Sequence, residues 1–184
     1  MWSSKDLSLV IFLSVVSFIY ALSIGQLGTL ITGIVGLNFF FVVGHAIFIS
    51  FGLLMYEGRR WRFSLQGTIV GLLFIPTFLA GTPFDVLARM PVLITNLFVD
   101  LILNSTYNTF QKSNKLSWWG ILGATCAILL MPFFTVLNMY LFYPPETLES
   151  FVYVVTLLLP VILIEAFIGG YLGFKIYSRL KKIH

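Results

Sequence analysis

From residue 151 to 174 the chain reads FVYVVTLLLPVILIEAFIGGYLGF, and Glu165 is the one charge in it. A helical crossing of a bilayer takes about 20 apolar residues at about 1.5 Å rise each, so a run of this kind is long enough to have lipid as its solvent. Comparable runs recur between charge and turn clusters, and together they predict six helices over 7–27, 38–56, 63–80, 84–111, 117–143 and 151–176. Composition agrees: 59% of residues are hydrophobic, 10% are charged, and mean hydropathy is +0.99. The expected fold class is therefore all-α, a polytopic membrane protein whose single transmembrane domain covers 1–184. Cys126 is the only cysteine, which excludes an internal disulfide and a cysteine-built metal site. The opening Met1-Trp2-Ser3-Ser4-Lys5-Asp6 lacks the basic start and small-residue cleavage site of a signal peptide, so the first helix is expected to be retained.

Basic residues stay on the cytoplasmic side of a membrane, and six crossings put both termini on one side. That side would hold Lys5, then Arg59, Arg60 and Arg62, then Lys112 and Lys115, then Lys175, Arg179, Lys181 and Lys182. Arg89 alone falls outside it, while Asp85, Glu146 and Glu149 fall in the opposite loops. The expectation is an N-in, C-in bundle in the plasma (cell) membrane, in contact with lipid. The net charge of +4 is accounted for by this inner basic fringe and calls for no nucleic acid. One stretch fits no plain crossing: GQLGTLITGIVGLN, residues 25–38, is apolar but punctuated by glycine. It reads either as a loop folded back into the outer face of the bundle or as a glycine-rich hairpin.

Catalytic and metal motifs are missing. The sequence has no His-Glu-x-x-His, no Gly-x-Ser-x-Gly and no Walker loop, and its histidines are His45 and His184. Asn104-Ser105-Thr106 matches a glycosylation acceptor, but it falls at the cytoplasmic end of a predicted helix. An enzyme is not expected, nor a cofactor.

The polar residues inside the predicted crossings sort by depth. Spacings of seven, four and four place Arg89, Asn96, Asp100 and Asn104 on one face of the fourth helix, a face expected to look into the bundle. The outer half collects Asn38, His45, Asp85, Arg89, Asn96, Asn138 and Tyr140, with Phe39, Phe40, Phe41, Phe78, Phe84, Tyr143 and Tyr153 near them. An aromatic-walled cavity with a few convergent polar groups suits a small, flat, water-soluble ligand. The plainer alternative is that Asp85 pairs with Arg89 and that the amides bond neighbouring helices. The inner half holds Asp100 and Asn104 together with Glu165, the two carboxylates at about 24 Å and about 21 Å along their helices. These read as a proton or cation step, as an intersubunit contact, or as neutral acids locked in a polar network.

Small residues form two stripes: Ser14, Ser17, Ala21 and Gly25 on the first helix, and Ala166, Gly169, Gly170 and Gly173 on the last. Such stripes let helices approach closely, within a chain or between subunits. The size, the six crossings, the stripe on helix 1 and the glycine-rich segment after it resemble the substrate-binding S components of energy-coupling factor (ECF) transporters. The family typically carries Ala-x-x-x-Ala where this chain has Ser17-x-x-x-Ala21-x-x-x-Gly25, and the Met-His-Ile-Pro start of its biotin, nickel and cobalt members is absent. The resemblance implies capture of a vitamin or related micronutrient on the outer side, then docking on a transmembrane coupling subunit, with ATP hydrolysed by separate cytoplasmic ATPases. It would make Ser17, Ala21 and Gly25, with Gly169 and Gly173, the docking surface. Two other readings stay open: an accessory subunit of a larger membrane complex, and a lipid-acting enzyme using Asp100 or Glu165.

Overall fold

The computed structural model describes residues 2–33, 37–78 and 83–183, and among these it contains helices and no strand. The first rod runs from α1 (Ser4–Tyr20) through a π-helical turn at Ala21–Gly25 into α2 (Leu27–Thr32). Ser3 starts it with a capping box, its hydroxyl accepting from the Asp6 N–H while the Asp6 carboxylate accepts from the Ser3 N–H. A short 3-10 turn, Leu37–Phe40, leads into α3 (Val43–Tyr56), and α4 (Arg62–Phe74) returns alongside. The next rod, Leu87–Lys112, contains α5 (Met90–Phe98), a π-helical turn at Val99–Leu103 and α6 (Tyr107–Lys112). Then come α7 (Leu116–Phe142) and α8 (Pro145–Ile183).

Four of these rods are long and apolar enough to cross a membrane: Ser4–Thr32, Leu87–Lys112, Leu116–Phe142 and Pro145–Lys182. The other two are short. The 14 residues of α3 make about 21 Å and the 13 of α4 about 20 Å. The sequence predicted longer helices here, and local chemistry explains both departures. Pro76 has no N–H to continue the helical hydrogen-bond ladder, so α4 stops at Phe74, short of the predicted end, with Ile75 as its cap; residues 79–80 lie outside the described residues. At the other helix, Asn38 to Phe40 form a 3-10 turn and the regular helix waits until Val43. The last helix instead begins earlier than predicted, because Pro145 is preorganised for a first helical position and lacks an N–H to strand there. In the glycine-rich stretch Gly25 and Gly28 continue the first rod, and Gly28 packs against Leu37, whose carbonyl oxygen would lie 2.5 Å from a Cβ there; residues 34–36, where the hairpin reading puts the turn, lie outside the described residues.

The core explains how six rods hold together while leaving space inside. Near the basic loops one cluster draws on every rod, with Val10, Leu53, Phe63, Val99, Trp119 and Tyr177 among its buried members. Towards the opposite end the core divides. Phe39, Ala46, Ile128, Phe151 and Ile162 join α3, α7 and α8. Ala21, Val70, Phe74 and Val92 join the first rod, α4 and α5. The bundle is thus closed at the basic end and split at the other.

Close backbone approach welds one half. A Cβ on Gly173 would stand 2.6 Å from the Ile47 carbonyl oxygen, and one on Gly169 would overlap the Val43 carbonyl oxygen. Ser50 fixes the same contact by donating to the Gly170 carbonyl at 2.8 Å. The glycine stripe of α8 is therefore occupied by α3 of the same chain.

Candidate ligand cavity

A helix that stops short leaves N–H groups at its start and carbonyls at its end without intrahelical partners, and a buried end has no water to supply them. The short helices meet this with buried charge. Asp100, 1% exposed, accepts from the Ser64 N–H in the first turn of α4. At the far end of α4, Arg89, also 1% exposed, donates through Nη2 to the carbonyls of Phe74 at 3.2 Å and Thr77 at 2.8 Å. Both side chains come from the rod Leu87–Lys112, with the carboxyl group at the positive end of α4 and the guanidinium at its negative end. Glu165 does the same for α3, accepting from the N–H groups of Val42 at 2.7 Å and Val43 at 3.2 Å.

With those ends satisfied, the split in the core can remain open. It holds a cavity of about 610 Å³, within the range of small-molecule sites. Phe63, Val99 and Ala127 form its floor on the common core, and Phe39, Phe74, Phe78, Tyr143 and Phe151 supply aromatic wall. Polar groups project at intervals: Gln26, Asn38, His45, Gln66, Asp85, Thr95, Asn96, Thr135 and Asn138. Several are held in place by the backbone. Asn96 Nδ2 donates to the Val92 carbonyl at 2.8 Å, and Asn138 Nδ2 donates to the Leu87 carbonyl at 3.1 Å. The Gln66 side chain accepts from the Tyr56 hydroxyl at 2.8 Å. The ring of His45 stands edge-on to Tyr20 with centroids 5.0 Å apart.

Four hydrogen-bonded contacts tie the two halves across the split, one of them from the Thr95 hydroxyl to the Met131 sulfur at 3.5 Å. Tyr20 on the first rod donates to the Phe41 carbonyl at 3.1 Å and accepts from the Gly44 N–H at 3.2 Å. Gly44 is required there because the Tyr20 ring occupies the place of a Cβ. Asn138 reaches Leu87, as above, and Tyr143 donates to Asp85 at 2.6 Å. The second oxygen of Asp85 accepts from the Ala88 N–H at 3.1 Å. The hydroxyl of Tyr143 holds the Asp85 carboxyl below the usual carboxylate range, whereas burial and then Asp85 push Tyr143 up to about 12.

The structure brings together five of the residues expected at a ligand site: Asn38, His45, Asp85, Asn96 and Asn138 all line the cavity. Two do not. Arg89 is turned onto the end of α4, and Tyr140 is 72% exposed on the outer surface of α7. The stripe Ser17, Ala21 and Gly25 also lines the cavity, so it faces the chain's own interior and is not an outward docking surface in this conformation. Gly169 and Gly173 are covered by α3. Of the expected inner network, Asn104 Nδ2 donates to Asp100 at 2.6 Å, but Glu165 belongs elsewhere. Counting depth from assumed helix starts treated both helices as level, whereas Glu165 sits at the beginning of α3 and Asp100 beside the beginning of α4, with the length of α3 between them.

Reasoning from sequence missed Tyr20, Gln66, Thr95 and Thr135 as cavity or strap residues, although each is a polar group within an apolar run. It also missed Asp6, which is 4% exposed and pairs with Arg59 at 2.7 Å and Arg62 at 3.1 Å. The Ser-x-x-Asp spacing at the start of the chain was the available signal. Among the described residues no group of His, Cys, Asp and Glu could hold a metal ion.

Fold and cavity define a class: an all-helical bundle, several of whose helices are long and apolar enough to cross a membrane, enclosing an aromatic-walled cavity with polar tips. No family model, curated protein or solved structure matches the chain.

Proposed function

We propose that this chain is a membrane-embedded substrate-capture subunit for ATP-driven uptake of a vitamin or related micronutrient, working like the S component of an ECF transporter. In this reading the chain crosses the plasma membrane six times with both termini cytoplasmic. It is not itself an enzyme and carries no cofactor; separate coupling and ATPase subunits supply the energy. The observation that carries the reading is the cavity of about 610 Å³ at the end of the bundle away from the basic loops, where a ligand from outside would arrive. Its apolar walls suit a flat ring system. The side chains of Asn38 and His45 retain hydrogen-bonding capacity for the ligand's edge, since neither side chain makes a hydrogen bond among the described residues.

The coupling subunit in this scheme meets the chain away from Ser17, Ala21 and Gly25, or meets them only after the first rod has moved off the cavity. The reading is tested by purifying the chain in mild detergent, denaturing it and identifying released small molecules by mass spectrometry. A near-stoichiometric organic molecule, lost in His45→Ala and Asn96→Leu but retained in Tyr140→Ala, is the expected result. A stoichiometric protein partner with no small molecule in any preparation would replace the proposal with an accessory subunit.

A further inference from the structure

A second recess lies outside the bundle, in the groove between α3 and α8, with a volume of about 320 Å³. Ile47, Leu172 and Ile176 form its floor, and Lys175 and Arg179 stand at its rim. Residues 172, 175, 176 and 179 follow the spacing of a single helix face, so apolar floor and cationic rim share one side of α8. Leu172 and Ile176 are 38% and 44% exposed, open to whatever surrounds the bundle.

Among the described residues the two cations meet no protein anion. The side chains of Lys175 and Arg179 form no ion pair or hydrogen bond among the described residues; Lys175 lies over the Tyr171 ring, 5.5 Å from its centroid. Nearby carboxylates are committed elsewhere. Asp6 holds Arg59 and Arg62, Glu57 faces Arg59 at 3.8 Å, and Glu165 is turned to the start of α3.

We propose that this groove is a binding site for one anionic phospholipid, its phosphate held by Lys175 and Arg179 and the upper part of an acyl chain lying on Ile47, Leu172 and Ile176. Charge complementarity selects an anion. Three aliphatic side chains match the width of an acyl chain, and the two cations beside them, which meet no anion among the described residues, call for an anionic headgroup. Arg179 stands beyond the floor towards the basic end of the bundle and Lys175 stands level with Ile176, so the cations flank the end of the floor where a headgroup would follow its chains. The site is separate from the cavity and does not depend on what the cavity holds.

The experiment uses the full chain in mild detergent, titrated with phosphatidylglycerol, with phosphatidylcholine and with inorganic phosphate, and reads bound lipid by native mass spectrometry. Phosphatidylglycerol should be retained in preference to phosphatidylcholine. The double variant Lys175→Gln/Arg179→Gln should lower its retention roughly tenfold, while Lys112→Gln/Lys115→Gln, with the same loss of charge, leaves it unchanged. Ile47→Trp fills the floor with both cations intact and should also release the lipid, and Lys175→Arg/Arg179→Lys should keep it. Equal retention in the two Gln variants, or equal retention of the two lipids, would overturn the proposal. So would displacement by millimolar inorganic phosphate, which marks a free-anion site. Loss of a co-purifying protein from the Gln variant with phosphatidylglycerol still bound would reassign the groove to a protein partner.

Discussion

Arg89 and Asp100 show how a single side chain can carry a structural requirement that looks, in sequence, like a binding site. Each adds a charged or carboxyl partner at a helix end, so removing either weakens the hydrogen bonding of that end. Arg89→Ala leaves the carbonyls of Phe74 and Thr77 without this donor and should destabilise the folded chain by about 2 kcal/mol, the usual cost of losing a charged hydrogen bond. Reversible unfolding in mixed micelles measures the loss; ligand retention at the temperature of full folding should be unaffected. Asp85 and Tyr143 make a prediction about pH. A carboxyl held low in the folded state contributes stability above its unfolded value near 4, and that contribution disappears as pH falls through the folded value. A phenol raised to about 12 contributes below its unfolded value near 10 and loses that contribution as pH rises towards its folded value. The strap is thus intact between about pH 4 and about pH 10. Tyr143→Phe should flatten both limbs of a stability-against-pH profile, and an unchanged profile would show that the strap does not contribute.

At the scale of elements, the α3–α8 contact is the tightest joint in the molecule, made by glycines that the sequence offered equally to an internal neighbour or to another subunit. Gly173→Ala puts a methyl group against the Ile47 carbonyl oxygen and should cost about 1–3 kcal/mol in the unfolding measurement. Leucine at the same position should prevent the chain from reaching its folded form, seen as loss of a monodisperse peak on gel filtration. Much of the helical layout was legible in sequence because apolar length and charge flanks are local signals. What was not legible depended on partners distant in the chain. The start of α3 is set by Glu165, and the end of α4 by Pro76 and Arg89. The direction in which Ser17, Ala21 and Gly25 face follows from which side of the first rod α3 and α4 occupy.

For the whole molecule, the decisive feature is a core that is continuous at one end and divided at the other. Five of the expected residues meet in the cavity because polar groups on apolar helices and their adjoining turns have few places to go, and the division of the core gives them one. The small-residue stripe follows from the same arrangement: Ala21 is small because it forms cavity wall. Ala21→Leu should therefore reduce ligand retention at least about tenfold, in line with the cost of crowding a packed site, while leaving assembly with any partner intact. Retained ligand with lost assembly would return the stripe to a docking role.

The helix α4 has a history implied by its ends. Both groups that complete it, Arg89 and Asp100, belong to a segment synthesised after it, so when α4 leaves the ribosome its termini are still bare. If the chain crosses six times as proposed, α4 waits at the insertion machinery, or at the interface, until the rod Leu87–Lys112 emerges, and the two then enter the bilayer as a pair. Chains truncated after residue 86 should leave Thr68 accessible to aqueous thiol reagents when replaced by cysteine, whereas chains extended to residue 115 should protect it. Order of synthesis, and not hydropathy alone, would then decide when this part of the protein becomes a membrane helix.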